Sequence, residues 1–139
     1  MGAQQLLLIV LTVIIIGISV AVGIGLFTQN MIRSNRFAVI NDLGVFAAVA
    51  ATYYKTPTDM GGGDGTWDAD ALGVWLGNNY DEANNSISTN NGTYVISVAG
   101  DELTIVGTGI EQGNDGSSNV RATLVFMGST SEFVTTIEN

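Results

Sequence analysis

One unbroken apolar run near the start of the chain constrains every fold open to it. Residues 6–27 carry no charge, and Thr12, Ser19, Gly17, Gly23 and Gly25 are the only interruptions. At a rise of about 1.5 Å per residue the run makes a helix roughly 33 Å long, close to the hydrocarbon thickness of a bilayer. Such a helix either spans a membrane or, outside lipid, needs other apolar surface to cover it. A secretory signal peptide would show a cationic start, a shorter apolar centre and a small-residue cleavage site, and this start shows none of them. Leu6 stands where a myristoylation signal needs Ser or Thr.

The helical pattern continues past the run but becomes two-faced. Ile32, Val39, Leu43, Phe46, Ala50 and Tyr53 recur at helical spacings, with Arg33, Arg36, Asn41 and Asp42 between them. Ala47, Ala48, Ala50 and Ala51 favour helix, and Pro57 supplies a stop just after Lys55. The expectation is one helix over residues 1–56, apolar over 1–27 and amphipathic over 28–56. A membrane helix joined to a separate short helix near residues 28–30 is the alternative.

Charge divides the chain at the same place. Residues 1–56 set Arg33, Arg36 and Lys55 against Asp42, a balance of +2, whereas residues 57–139 set Arg121 alone against twelve acids, a balance of -11. Phosphate neutralisation needs clustered cations, so nucleic acid is not an expected partner. The sequence has no His and no Cys. That excludes a Ser-His-Asp triad, a thiol nucleophile, an imidazole or thiolate zinc site and a disulfide framework. With no catalytic constellation visible, no enzyme is expected.

Residues 57–92 turn to Gly, Asn, Asp, Ser and Thr and read as a connecting loop. Within it, residues 68–76 fit a short helix with Asp68 as N-cap and Gly77 as C-terminal stop. Trp67, Val74, Trp75 and Leu76 are the residues expected to pin that stretch to the main helix. From residue 93 the period changes to two. Residues 93–99 and 102–110 read as a hairpin turning at Gly100 and Asp101, and residues 119–127 and 132–137 as a second one. The fold class is therefore α+β, with a four-stranded antiparallel meander over residues 93–139. One apolar sheet face must be covered, and the amphipathic half of the long helix is the element large enough to do it.

The opening Met1-Gly2-Ala3-Gln4-Gln5 running directly into Leu6-Leu7-Leu8-Ile9-Val10, together with the helix-then-meander order over the whole chain, resembles the type IV pilin superfamily. That family comprises bacterial pilins, minor pilins and pseudopilins, with archaeal pilins and archaellins as relatives. The resemblance implies a homopolymer of identical subunits, held in the cytoplasmic membrane before assembly and released into an extracellular filament afterwards. It also implies a prepilin peptidase and the pilus assembly machinery as partners, and Met1 as an amino terminus exposed by processing, or else as the initiator. Two departures stand out. Gln5 occupies the place where bacterial pilins usually carry a glutamate that meets a neighbour's amino terminus, so it offers a hydrogen bond without a charge. The apolar run also lacks the proline common in bacterial pilins, which favours a continuous helix as in the archaeal relatives.

On that reading, Gly17, Ala21 and Gly25, four residues apart, form a small-residue stripe for close helix approach, or else are glycines of the kind common in any membrane helix. Arg33 and Arg36 either pair with acids of an adjacent head or sit as membrane-edge anchors. Asp64, Asp68 and Asp70 supply hard oxygen donors that suit calcium, the one cofactor to consider, although their spacing matches neither the EF-hand nor the glycine-rich nonapeptide pattern and a turn with capping acids is the ordinary reading. Asn84 and Asn91 head Asn-x-Ser/Thr sequons, which mark glycan acceptors or arise by chance in Asn-rich sequence. A pseudopilin of a secretion piston and a single-pass anchored binding module remain as alternative functions.

Overall fold

The computed structural model describes residues 2–139, and it is an α+β fold. Helix α1 runs without a break over Gly2–Lys55, 54 residues, so its two halves form one continuous rod. At about 1.5 Å per residue the rod is roughly 80 Å long. No proline interrupts it. Thr12, Ser19 and Thr28 turn their hydroxyls back onto the carbonyls of Leu8, Ile15 and Ile24, which satisfies these polar groups without a partner outside the helix.

The end of α1 is closed by the glycine-rich loop that follows Pro57. Gly63, Gly65 and Asp64 donate backbone N–H groups to the carbonyls of Tyr53, Tyr54 and Thr56 at 2.9, 2.8 and 2.9 Å. These are carbonyls that a helix terminus would otherwise leave unpaired. Glycine is needed for the approach: a Cβ on Gly62 would lie 2.2 Å from the Thr56 carbonyl oxygen, and one on Gly63 2.2 Å from that of Thr66.

Helix α2 spans Ala69–Leu76, N-capped by the Asp68 carboxylate, which accepts from the backbone of Asp70 and Ala71. Leu72, fully buried, anchors this helix, whereas Val74 points to solvent with 71 % of its surface exposed. The four residues expected to hold the stretch down therefore act unequally. Trp67 is buried and stacks on Tyr53 with ring centroids 6.3 Å apart, and Trp75 meets the same ring edge-on at 5.7 Å.

The sheet has six antiparallel strands in sequential order, two more than the sequence suggests. Strands β1 (Tyr80–Asp81) and β2 (Ser86–Ser88) lie inside the segment read as loop. They are too short to show a period of two, and Asp81, Asn84 and Asn85 around them are turn residues. Strands β3 (Gly92–Ala99), β4 (Glu102–Gln112), β5 (Asn119–Met127) and β6 (Glu132–Ile137) form the meander. Its inner face, with Tyr94, Ile96, Leu103, Ile105, Ala122, Leu124 and Phe126, packs on Val39, Leu43, Phe46, Ala50 and Tyr53 of α1. The core is thus one helix face against one sheet face.

Candidate functional site

The feature that sets this molecule apart is the half of α1 that the head leaves uncovered. Residues 2–31 are all exposed, and the first buried helix residue is Asn35. The apolar stretch has a mean hydropathy of 3.0 over its best window and none of that window is buried, so by length and composition it can cross a membrane. Within it, Gln5, Gly17, Ala21 and Gly25 are exposed. A Cβ built on Gly17 or Gly25 meets nothing within 4 Å, so no contact within the chain calls for glycine at either place. Met1 lies outside the described residues.

At the neck, where α1 leaves the sheet, a polar joint holds the rod. Asn35 falls on the buried stripe between Ile32 and Val39. Its Oδ1 accepts from the backbone N–H groups of Ile110 and Glu111 at 3.1 and 3.2 Å, and its Nδ2 donates to the Asn91 carbonyl at 2.8 Å. Those N–H groups are free because the pairing of β4 with β5 slips between Thr108 and Gln112, a bulge that takes them out of the ladder. Asn119 completes the joint from β5 by donating to the Gly109 carbonyl at 2.8 Å. Gly109 makes the fit possible, since a Cβ there would come within 2.1 Å of Asn35 Oδ1.

Two turns further along, Asp42 gathers Tyr94, Asn91 and Thr89 onto a single carboxylate oxygen at 2.7, 3.0 and 3.2 Å. Burial, and then the neighbouring Asp42 carboxylate, push the Tyr94 hydroxyl pKa well up. At the opposite end of the head, Asp101 accepts from the Tyr54 hydroxyl and the Ser129 backbone. Hydrogen bonds from Ser129, followed by that from Tyr54, hold its carboxyl below the ordinary value. These joints fix the angle between rod and head.

The other sequence candidates separate on inspection. Arg33 is exposed and Arg36 half-buried, and the buried Nε of Arg36 has no hydrogen-bond partner. Among the described residues the one ion pair is Arg121 with Glu138 at 3.0 Å, so neither neck arginine forms an ion pair with any of them. Asp64, Asp68 and Asp70 are not brought together: Asp68 caps α2, Asp70 accepts from the Tyr80 hydroxyl, and Asp64 sits exposed in the loop that closes α1. Among the described residues no three acids form a group that would hold a metal ion. Asn84 is exposed in the turn between β1 and β2, with its amide on Asp81, whereas the Asn91 amide is committed to Asp42.

Sequence reasoning passed over Asn35, Asp42 and Tyr94 as functional residues. A signal for the first was present: Asn35 stands three residues after Ile32 and four before Val39, a polar residue on an apolar stripe. Comparison with protein-family models, with curated proteins and with solved structures found no match to this chain.

Proposed function

We propose that this chain is the structural subunit, a major pilin, of an extracellular type IV pilus-like filament. The observation that carries the proposal is the single rod that is packed into the head over one half and wholly uncovered over the other. A helix of this kind is stable inside lipid. Outside lipid its apolar surface is driven against copies of itself at about 25 cal/mol per Å² covered. Identical molecules offer the same surface to one another, so the contact repeats and a polymer grows. The rigid neck at Asn35 and Asp42 supports this reading, because a fixed angle between rod and head is what regular stacking requires.

In such a filament the rods form the core and the acidic heads the outer surface. Glycines without a role inside the chain, Gly17 and Gly25, then allow close approach between rods. Gln5 supplies a hydrogen bond near the amino terminus where the family uses an acid. Before assembly the same apolar half holds the chain in the cytoplasmic membrane, where a prepilin peptidase and the assembly machinery act on it.

The uncovered half is also long enough for a single-pass anchor, which is the second reading. Mass spectrometry of the native amino terminus separates the two. A methylated Met1 following a removed leader supports pilin processing, and an unprocessed terminus contradicts it.

A further inference from the structure

The sheet is wider than the helix that covers it. In the antiparallel pairing of β5 with β6, Phe126 lies opposite Phe133 and Ala122 opposite Ile137, and opposite residues of such a pair share a face. Ala122 and Phe126 are buried beneath α1, whereas Phe133 and Ile137 keep 58 % and 50 % of their surface exposed. The apolar face of the sheet thus overhangs α1 along one side. Between the overhang and the flank of the helix runs a trough of about 270 Å³, walled by Gly44, Ala48 and Ala51 on one side and Phe133 on the other. Its only charged lining residue is Lys55, and no carboxylate faces it, in a chain of net charge -9.

We propose that this trough seats the apolar half of α1 from a second copy of the chain. The inference rests on the polymer reading above and names the surface that receives the rod. The occupant carries no charge, and burying an unpaired carboxylate against it would be costly. The trough is a face of this acidic head with no carboxylate to bury, and Lys55, exposed at the end of α1, can lay its stem along the trough and keep its ammonium in water. Gly44 and Ala48 leave the wall low enough for a second helix backbone to come close. Along residues 44–55 the trough follows roughly 18 Å of α1, about half of the apolar run. Each rod therefore needs further neighbours for complete cover, so the seat belongs to a polymer and not to an isolated pair.

The absence of cysteine makes a direct test clean. Chains carrying Ala48→Cys are co-assembled with chains carrying one cysteine in turn at each of positions 6–27, and the fibres are oxidised and mapped by peptide mass spectrometry. All these positions are exposed, so the substitutions do not disturb the head. A disulfide between the two variants is expected over one or two turns of the rod. Ser97→Cys, exposed on the opposite face of the sheet, should give none. Fibres that form normally while Ala48→Cys links to no rod position, or links no more than Ser97→Cys does, overturn the seat and leave the polymer reading standing. In a parallel set with the second cysteine at each of positions 132–137, linkage of Ala48→Cys to β6 of another copy overturns it in favour of strand addition at the sheet edge. No fibre from the unsubstituted chain removes both readings.

Discussion

Asp42, the one acid of the long helix, accepts a hydrogen bond at 2.7 Å from the hydroxyl of Tyr94, which is fully buried on β3. The contact joins the rod to the sheet across 52 positions of sequence. Tyr94→Phe keeps the edge-on packing of this ring against Phe46 at 4.9 Å and loses only the bond to the carboxylate, at a cost of about 2 kcal/mol. Asp42→Ala should cost more than Tyr94→Phe, because it strands the buried hydroxyl together with the amide of Asn91. Denaturant unfolding of the full chain in detergent, followed by the fluorescence of Trp67 and Trp75, measures both. Equal stability of the two variants would contradict the joint.

Asn35→Leu leaves the bulge N–H groups of Ile110 and Glu111 without their acceptor, and we expect a loss of about 3 kcal/mol. Gly109→Ala should destabilise the same joint by about 1–3 kcal/mol through overpacking against Asn35. Paired with Asn35→Ala instead, Gly109→Ala should cost less than the sum of the two single losses, since truncation to Ala removes the Oδ1 that a Cβ on Gly109 would meet. Additive losses in a double-mutant cycle would show that the two residues do not share a joint.

All four tyrosines have pKa values raised above the ordinary 10.0, Tyr53 and Tyr94 chiefly by burial, Tyr54 chiefly by its bond to Asp101, and Tyr80 by burial and Asp70 to about 12. Folding favours the protonated phenol, so this stabilisation is whole below the unfolded value and is lost as pH rises through the folded values. Spectrophotometric titration should therefore show less than half of the tyrosine ionised at pH 10, with stability falling as pH rises above it. Half ionisation at that pH with the head still folded would be the contrary result. On the acid side Asp101 behaves oppositely, because its depressed pKa contributes above the ordinary carboxylate value and is lost on falling below it.

Gly17→Leu and Gly25→Leu add side chains where nothing within the chain lies near. Unfolding of the head should stay within about 0.5 kcal/mol of the unsubstituted chain, while the yield of sheared fibres falls sharply. Normal fibre yield from the double variant would remove these glycines from the rod contact.

The sequence made the rod legible because a long uncharged run followed by a helical stripe has few other readings, and the meander because three of its four strands alternate over eight residues or more. What escaped was short or non-local. β1 and β2 hold two and three residues, too few for a period, and are strands because β3 offers β2 an edge and β2 in turn offers one to β1. The joint at Asn35 depends on a bulge whose residues lie 75 positions away. The glycine-rich loop with Asp64 suggested a cation site, but the structure uses its backbone donors to close α1, a role set by where the helix ends and invisible in the spacing of the acids. The overhang of β6 follows from the width of one element against another, which no residue pattern records.

Electron microscopy of sheared surface material, with mass spectrometry to identify the subunit and a helical reconstruction to place it, tests the central claim most directly. The predicted result is a fibre built from this chain, with residues 6–27 of many copies packed side by side along its axis and the acidic heads outside. Recovery of the chain only as single molecules in detergent extracts of the membrane, with no fibre containing it, would contradict the account.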